Sequence, residues 1–199
     1  DRTVGMLNDF VLTVATANGS GSQSSNNILV RSLFRMGLPV AGKNLFPSNI
    51  QGLPTWFTIR VNEKGFTARK AQADVVVAMN PQTAVDDVKL VRPGGFLILN
   101  SEIKLPADGK TGDLNIISVP FREIVGQVTD SVKMKKLLVN MVYVGVLAEL
   151  LGIPAATVTE VIHHAFQDKP GVIAQNEAAI AAGREYAAAN LKTCGFSFR

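Results

Sequence analysis

Short apolar runs, separated by turns rich in glycine and asparagine, fill much of the chain up to Pro120. Near-continuous runs of branched and aromatic side chains are typical of strands buried on both faces of a sheet. This pattern predicts strands at Phe10–Ala15, Asp74–Met79, Phe96–Asn100 and Asn115–Val119.

In Thr55–Val61 the side chains alternate between two faces, one with Phe57, Ile59 and Val61 and the other with Trp56, Thr58 and Arg60. This alternation predicts a strand with two different faces. A second short strand is predicted at Leu38–Ala41, before a predicted loop at Lys43–Gly52. After a turn, Phe66–Arg69 is expected to pair back on the alternating strand.

Helical spacing of apolar residues first occurs in Gln23–Met36, which Gly37 ends. A second helix is predicted at Thr83–Val91, because Asn80 followed by proline is a typical start signal. The sequence Pro93-Gly94-Gly95 is expected to end it.

After Pro120 the pattern becomes helical. Asp130 or Ser131 is expected to cap a helix that runs through Leu151 and closes at Gly152. This helix is apolar on most of its circumference, so we expect it to lie between the sheet and another domain or subunit. Two more helices are predicted at Ala155–Phe166 and Val172–Leu191.

Alternating strands and helices followed by helices alone predict an α/β fold. We expect a Rossmann-like, mainly parallel sheet with helices on both faces and a helical C-terminal part. Residues 1–199 are interpreted as a single domain, with residues 8–120 as the α/β core and residues 130–192 as C-terminal helices.

The chain has 199 residues, of which 47% are hydrophobic and 18% charged, so it is globular rather than disordered. Cys194 is the only cysteine, which excludes a disulfide framework and a CxxC metal or redox site. One cysteine is also too few to hold an iron–sulfur cluster. This cysteine usage indicates a reducing compartment, and we expect a cytoplasmic location.

The formal net charge is only +4, and the basic residues are scattered. Their densest group is Lys133, Lys135 and Lys136, interpreted as a solvated helix face rather than a nucleic-acid patch. No segment reaches the roughly 18–20 apolar residues of a membrane span, and Asp1–Phe10 lacks the pattern of a signal peptide. We expect neither a nucleic-acid nor a membrane partner.

Gly19-Ser20-Gly21 lies between the first predicted strand and helix. Glycines at such a turn permit close approach by a ligand, and the following helix offers backbone N–H groups to an anion. Ser20, Ser22, Ser24 and Ser25 add hydroxyl donors. The alternative is a capped turn without a ligand.

The loop reads G-x-G-x-x-S, and no acidic residue follows between Gly21 and Glu63 to bind a ribose, which argues against a nicotinamide site. His163 and His164 are adjacent on a helix, so they cannot chelate one metal as an i, i+4 pair would, and we assign no catalytic residue.

The polar loop Phe46–Gly52 is the second candidate, expected beside the glycine loop at the carboxyl edge of the sheet. Arg60, on the following strand, either pairs with an anion or forms a structural salt bridge with an acidic neighbour. Trp56 is interpreted as packing.

The chain resembles the gamma domain of 2-oxoacid:ferredoxin oxidoreductases from about Asn8 to about Leu191. NDF near the start and NIQGLPTW are most similar to the 2-oxoglutarate type, in which this domain begins the alpha subunit. The segments that carry the resemblance are Ala17–Gln23, Phe46–Pro54, Phe57–Val61, Ala73–Asn80, Arg92–Gly95, Asn100-Ser101 and Asn140–Gly145.

The resemblance implies oxidative decarboxylation of a 2-oxoacid to an acyl-CoA, with electrons passing through iron–sulfur clusters to ferredoxin. Thiamine diphosphate and Mg are implied in other domains. The partners implied are the remaining alpha-subunit domain, the beta subunit and ferredoxin. This domain is associated with coenzyme A access and subunit contacts, and alone should be inactive.

The resemblance also implies a set of site residues that bind coenzyme A. The family's first loop is richer in glycine than the glycine loop of this chain, and its second loop often reads Pro-Ser-Glu-Ile-Arg-Gly-Gly. In this chain Asn49, Gln51 and Leu53 stand in that second loop, which removes two charged residues. No charged contact is therefore carried over to these positions. Because a thiamine-contacting domain should follow, these residues are expected to be a fragment, a separate segment or a stand-alone gamma subunit. The alternatives are a nicotinamide-dependent reductase and a ligand-free scaffold domain. The cofactor-binding residues implied are Gly19, Ser20, Gly21, Ser22, Pro47, Ser48, Asn49, Gln51 and Gly52.

Overall fold

The computed structural model describes residues 9–45, 50–62, 72–106 and 111–192, which form an α/β fold with a helical C-terminal part, as predicted. The strands are β1 (Asp9–Ala17), β2 (Val40–Leu45), β3 (Pro54–Asn62), β4 (Ala73–Ala78), β5 (Val91–Asn100) and β6 (Asn115–Val119). The helices are α1 (Ser22–Arg35), α2 (Ala84–Asp87, extended by a 3-10 turn at Val88–Leu90), α3 (Phe121–Gly126), α4 (Val132–Leu151), α5 (Ala155–Ala165) and α6 (Pro170–Asn190).

The described chain divides into two compact units. One contains the sheet and runs from β1 to Ser20 and from Pro39 to Pro120. The other contains Gly21–Leu38, with α1, and the chain from Phe121 onward. None of the described helices has both the length and the hydropathy that a bilayer-spanning segment requires.

The described strands form one sheet in the order β2-β3-β1-β4-β5-β6. The β1–β4, β4–β5 and β5–β6 pairs are parallel, whereas β3 is antiparallel to both of its neighbours. Five strands therefore point the same way and β3 alone is reversed. The prediction of a mainly parallel sheet is confirmed.

The centre of the sheet is formed by the runs that the sequence marks as apolar. Every residue from Phe10 to Thr16 in β1 is buried, and so is every residue of β4. In β3, Phe57, Ile59 and Val61 share a buried face, as their alternation predicts. The predicted pairing of Phe66–Arg69 lies outside the described residues.

Three elements differ from the prediction. β2 occupies Val40–Leu45 rather than Leu38–Ala41, and its last four residues are exposed, so its backbone pairing with β3 rather than apolar burial holds it. β5 begins at Val91, so that the proline-glycine turn expected to end a helix lies within the strand. α3 was not predicted because a helix of two turns shows no clear period.

The predicted caps of the long C-terminal helix are present. The Ser131 hydroxyl accepts a hydrogen bond from the Met134 N–H at 3.3 Å, and Gly152 ends α4 in the left-handed conformation with φ 71°. Pro170 occupies the first turn of α6, where its missing N–H costs no helical bond.

Helices α4 and α6 approach each other at two glycines. A Cβ on Gly145 would lie 2.0 Å from the Ile180 carbonyl oxygen, and one on Gly183 would lie 2.2 Å from the Val142 carbonyl oxygen. At this contact only glycine permits the backbones to be so close.

The chain itself buries most of α4. Helices α1, α3 and α6 pack against it, and nearly every residue from Leu138 to Leu151 is buried. The expectation that a further domain or subunit covers this helix is not needed to explain its apolar surface.

Candidate functional site

The glycine loop has the backbone that its sequence requires. Gly19 and Gly21 have φ values of 80° and 87°, a left-handed backbone conformation that residues with a Cβ rarely adopt. The Ser20 N–H donates to the Ala17 carbonyl at 3.2 Å and closes the turn after β1. Gly21 is the N-cap residue of α1.

The second predicted loop lies against the first. The Asn18 N–H donates to the Leu53 carbonyl at 2.7 Å, and the Gly52 N–H donates to the Asn18 carbonyl at 2.9 Å. The Asn18 side-chain amide donates to the Ile50 carbonyl at 2.9 Å. The predicted adjacency of the two loops is confirmed for the residues described.

Gly19 lies against this neighbouring loop. A Cβ there would lie 2.9 Å from Cγ of Gln51, which shows how closely the loops are packed. Pro47, Ser48 and Asn49, which the sequence assigns to the same site, lie outside the described residues.

The first turn of α1 combines buried and exposed serines. Ser22 and Ser25 are buried, and the Ser25 hydroxyl donates to the Met141 sulfur at 3.6 Å. Ser24 is exposed. Gly21 has no side chain to cap this turn, and the turn contains no acidic residue. Such a helix end is electrostatically suited to an anion.

A buried carboxylate, Asp87, lies near the carboxyl edge of the sheet, and the sequence did not single it out. It accepts hydrogen bonds from Nε1 of Trp56 at 2.8 Å and from the Thr83 hydroxyl at 2.7 Å. Burial raises the pKa of Asp87; the hydrogen bonds from Trp56 and Thr83 oppose this, and the neighbouring Asp86 adds to it. Trp56, interpreted as packing, therefore also fixes a carboxylate.

Arg60 forms the structural salt bridge that the sequence left open. Its guanidinium donates to both carboxylate oxygens of Asp9, at 3.1 and 3.2 Å, and Arg60 is only 4% exposed. In the β1–β3 register Arg60 lies opposite Val11, at the other end of β1 from the loops. It is therefore not part of the candidate site.

The two histidines face different partners. Nε2 of His163 lies 2.7 Å from a Glu177 carboxylate oxygen, whereas Nδ1 of His164 lies 3.5 Å from the Gln167 amide. Within the part of the chain that is described, no three His, Cys, Asp or Glu residues are close enough to hold a metal ion.

Comparisons with known proteins agree on one family. The family model of pyruvate ferredoxin/flavodoxin oxidoreductases matches residues 11–186. The alpha subunit of 2-oxoacid:ferredoxin oxidoreductase 2 from Aeropyrum pernix is 28% identical over 96 residues, which are 48% of this chain and 15% of the relative. The chain thus corresponds to a small part of that relative.

The fold also matches solved structures. The 2-oxoglutarate:ferredoxin oxidoreductase from Magnetococcus marinus, with 2-oxoglutarate, coenzyme A and succinyl-CoA bound, has a TM-score of 0.79 and 25% identity, over 96% of this chain and 32% of that one. A pyruvate oxidoreductase subunit from Thermotoga maritima has a TM-score of 0.69 and 21% identity over 89% of this chain and 96% of its own.

A third structure has the same fold. The gamma subunit of a keto/oxoacid ferredoxin oxidoreductase from Geobacter sulfurreducens has a TM-score of 0.71 and 15% identity, over 90% of this chain and 99% of its own. The resemblance to 2-oxoacid:ferredoxin oxidoreductases is confirmed. Because the family model covers most of its length, the chain belongs to the pyruvate ferredoxin/flavodoxin oxidoreductase family.

Proposed function

We propose that this chain is the gamma domain of a thiamine-diphosphate-dependent 2-oxoacid:ferredoxin oxidoreductase, with 2-oxoglutarate as its 2-oxoacid. The observation that carries the proposal is the similarity, over 96% of the chain, to an enzyme solved with 2-oxoglutarate, coenzyme A and succinyl-CoA bound. The overall reaction is oxidative decarboxylation to an acyl-CoA, with ferredoxin as the electron acceptor.

Within that enzyme, the two loops and the first turn of α1 help coenzyme A to reach the reaction centre. Coenzyme A carries phosphate groups, and the start of α1 combines a positive dipole end with a turn free of acidic side chains. The backbone hydrogen bonds that Asn18 forms with Gly52 and Leu53 hold the two loops together. The residues present therefore fit a phosphate-bearing ligand.

The other groups of the reaction belong elsewhere in the complex. When bound, thiamine diphosphate supplies the carbanion stabilisation that decarboxylation needs. The single cysteine does not provide the thiolates of an iron–sulfur cluster. The partners are accordingly the remaining alpha-subunit domain, the beta subunit and ferredoxin, and this domain alone is inactive. A cytoplasmic location stays a prediction.

The test is the complete enzyme that contains this chain. With 2-oxoglutarate, ferredoxin reduction should depend on coenzyme A and yield succinyl-CoA, and pyruvate should be a much poorer substrate. Preference for pyruvate would overturn the choice of 2-oxoacid, and no coenzyme A dependence with either acid would overturn the function itself.

Calorimetry on the full chain tests the role of this domain. Saturable coenzyme A binding supports the proposal. Binding of NADH instead would favour a nicotinamide-dependent reductase, and binding of neither would favour a scaffold domain.

A charge variant locates the binding site. Gln51→Glu adds a negative charge to an exposed loop position and should weaken coenzyme A binding about fivefold, the effect of about 1 kcal/mol of repulsion between charges a few ångströms apart. Gln175→Glu, which adds the same charge at an exposed position of α6, is the matched control. Equal affinities of the two variants would contradict the assignment of the loop.

A further inference from the structure

Five buried polar residues lie where α4 packs against the start of α1. We call them the polar cluster: Ser22, Ser25 and Asn26 from α1, and Asn140 and Tyr143 from α4. Tyr143 is completely buried, and its hydroxyl donates to Oδ1 of Asn26 at 2.7 Å. The same hydroxyl lies 3.4 Å from the Ser22 carbonyl oxygen.

The Tyr143 hydroxyl is a polar group in an otherwise apolar stretch of α4. The residues of α4 around it, such as Val142 and Val144, are apolar and equally buried. A buried hydroxyl without a partner is destabilising, so Tyr143 is tolerated because Oδ1 of Asn26 accepts a hydrogen bond from it. Burial raises the pKa of Tyr143, which keeps the hydroxyl protonated as a donor.

The position of this hydrogen bond is specific. Ser22 and Asn26 lie one helical turn apart, so the Tyr143 hydroxyl reaches across the first turn of α1. Just before that turn, a Cβ on Gly21 would lie 3.2 Å from Cδ2 of Leu137 and 3.4 Å from Nδ2 of Asn140. The segment of α4 from Leu137 to Tyr143 therefore supports α1 from its N-cap through its first turn.

We propose that Tyr143 is a positioning residue for coenzyme A: it fixes the first turn of α1 and thereby the end of the glycine loop that enters it. The proposal rests on the proposed function, in which this loop and turn bind the phosphate-bearing substrate. A binding site displaced by about 1 Å loses much of its complementarity, so loss of the hydroxyl weakens coenzyme A binding more than it slows the chemistry.

The test is steady-state kinetics of the complete oxidoreductase with Tyr143→Phe. The KM for coenzyme A should rise about three- to tenfold, whereas kcat and the KM for the 2-oxoacid stay within twofold of the unmodified enzyme. The control is Tyr186→Phe, which removes the same atom from the chain's only other tyrosine, on α6, and should change none of these values.

A second variant removes the acceptor. Asn26→Ala should raise the KM for coenzyme A by a similar factor, and the double variant should be no worse than either single one, because both remove the same hydrogen bond. This variant decides the question even when the Tyr143→Phe enzyme does not assemble.

The outcomes separate the two proposals. A coenzyme A-dependent enzyme in which both variants lower the melting temperature but keep the original KM for coenzyme A would overturn the positioning role alone. An unmodified enzyme without coenzyme A dependence would overturn the proposed function and this inference with it.

Discussion

Replacing Gly145 with alanine should destabilise the protein, although alanine is the better helix former. In an ordinary helix the change stabilises by about 0.5–1 kcal/mol, because glycine loses more backbone entropy on folding. Here the new Cβ would lie 2.0 Å from the Ile180 carbonyl oxygen, whereas real Cβ contacts are almost never under 3.0 Å. Helices α4 and α6 must therefore separate by about 1 Å.

The cost follows from the atoms that are displaced. Both sides of the contact are backbone, so no side chain can rotate away, and a gap of about 1 Å forfeits a quarter to a half of each van der Waals contact along the crossing. Overpacking of this kind costs about 1–3 kcal/mol, and we expect the upper end. For a chain of this size, 3 kcal/mol lowers the melting temperature by roughly 6–12 °C.

The assay is unfolding of the full chain by urea and by heat, monitored by circular dichroism. Gly183→Ala should behave like Gly145→Ala, since its Cβ would lie 2.2 Å from the Val142 carbonyl oxygen. Gly171→Ala, in the exposed first turn of α6 with no atom within 4 Å, is the control and should be neutral or slightly stabilising. Equal stability of the Gly145 and Gly171 variants would refute the close approach of α4 and α6.

Three other predictions concern a buried carboxylate, a buried salt bridge and the glycine loop. Because burial raises the pKa of Asp87, the stabilising contribution of this group is greatest below about pH 4 and is lost as the pH rises through the raised value. Asp87→Asn should therefore gain stability relative to the original protein between about pH 4 and 7. The same difference in unfolding free energy between the two proteins at about pH 4 and pH 7, measured with urea, would contradict this. Arg60→Ala should cost about 1–3 kcal/mol in chemical denaturation, more than Arg60→Lys, because Arg60 is buried and holds Asp9 with two hydrogen bonds. Gly21→Val should lower thermal stability by about 1–3 kcal/mol, since φ is 87° there, and an unchanged melting curve would show that the turn is not constrained.

The central strands were predictable because the amino-acid composition of each strand is enough to identify it. The apolar runs of β1 and β4 are buried on both faces, so their composition alone indicates their place. The limits of β2 were not predictable, because Val40–Leu45 is mostly exposed and becomes a strand only by pairing with β3. Such pairing is a property of the partner and leaves no pattern in the strand itself.

The candidate site was also predictable only in part. The glycine loop was visible from its spacing, and its contact with the loop before β3 follows from the usual geometry of sheet edges. Asp87 was missed because an acidic residue in a helical segment is normally exposed, and only the fold shows that Trp56 covers it. Tyr143 and Asn26 are 117 residues apart, so no local pattern links them.

The reversed direction of β3 affects how this protein can vary. A parallel neighbour would need a crossover of a dozen or more residues, often a helix, between the ends of the two strands. Because β3 runs the other way, the chain leaves β2 and enters β3 at the same edge of the sheet, and residues 46–53 are the whole connection. A change in the length of that connection therefore leaves the direction and the order of the strands unchanged, because an antiparallel pair needs no crossover.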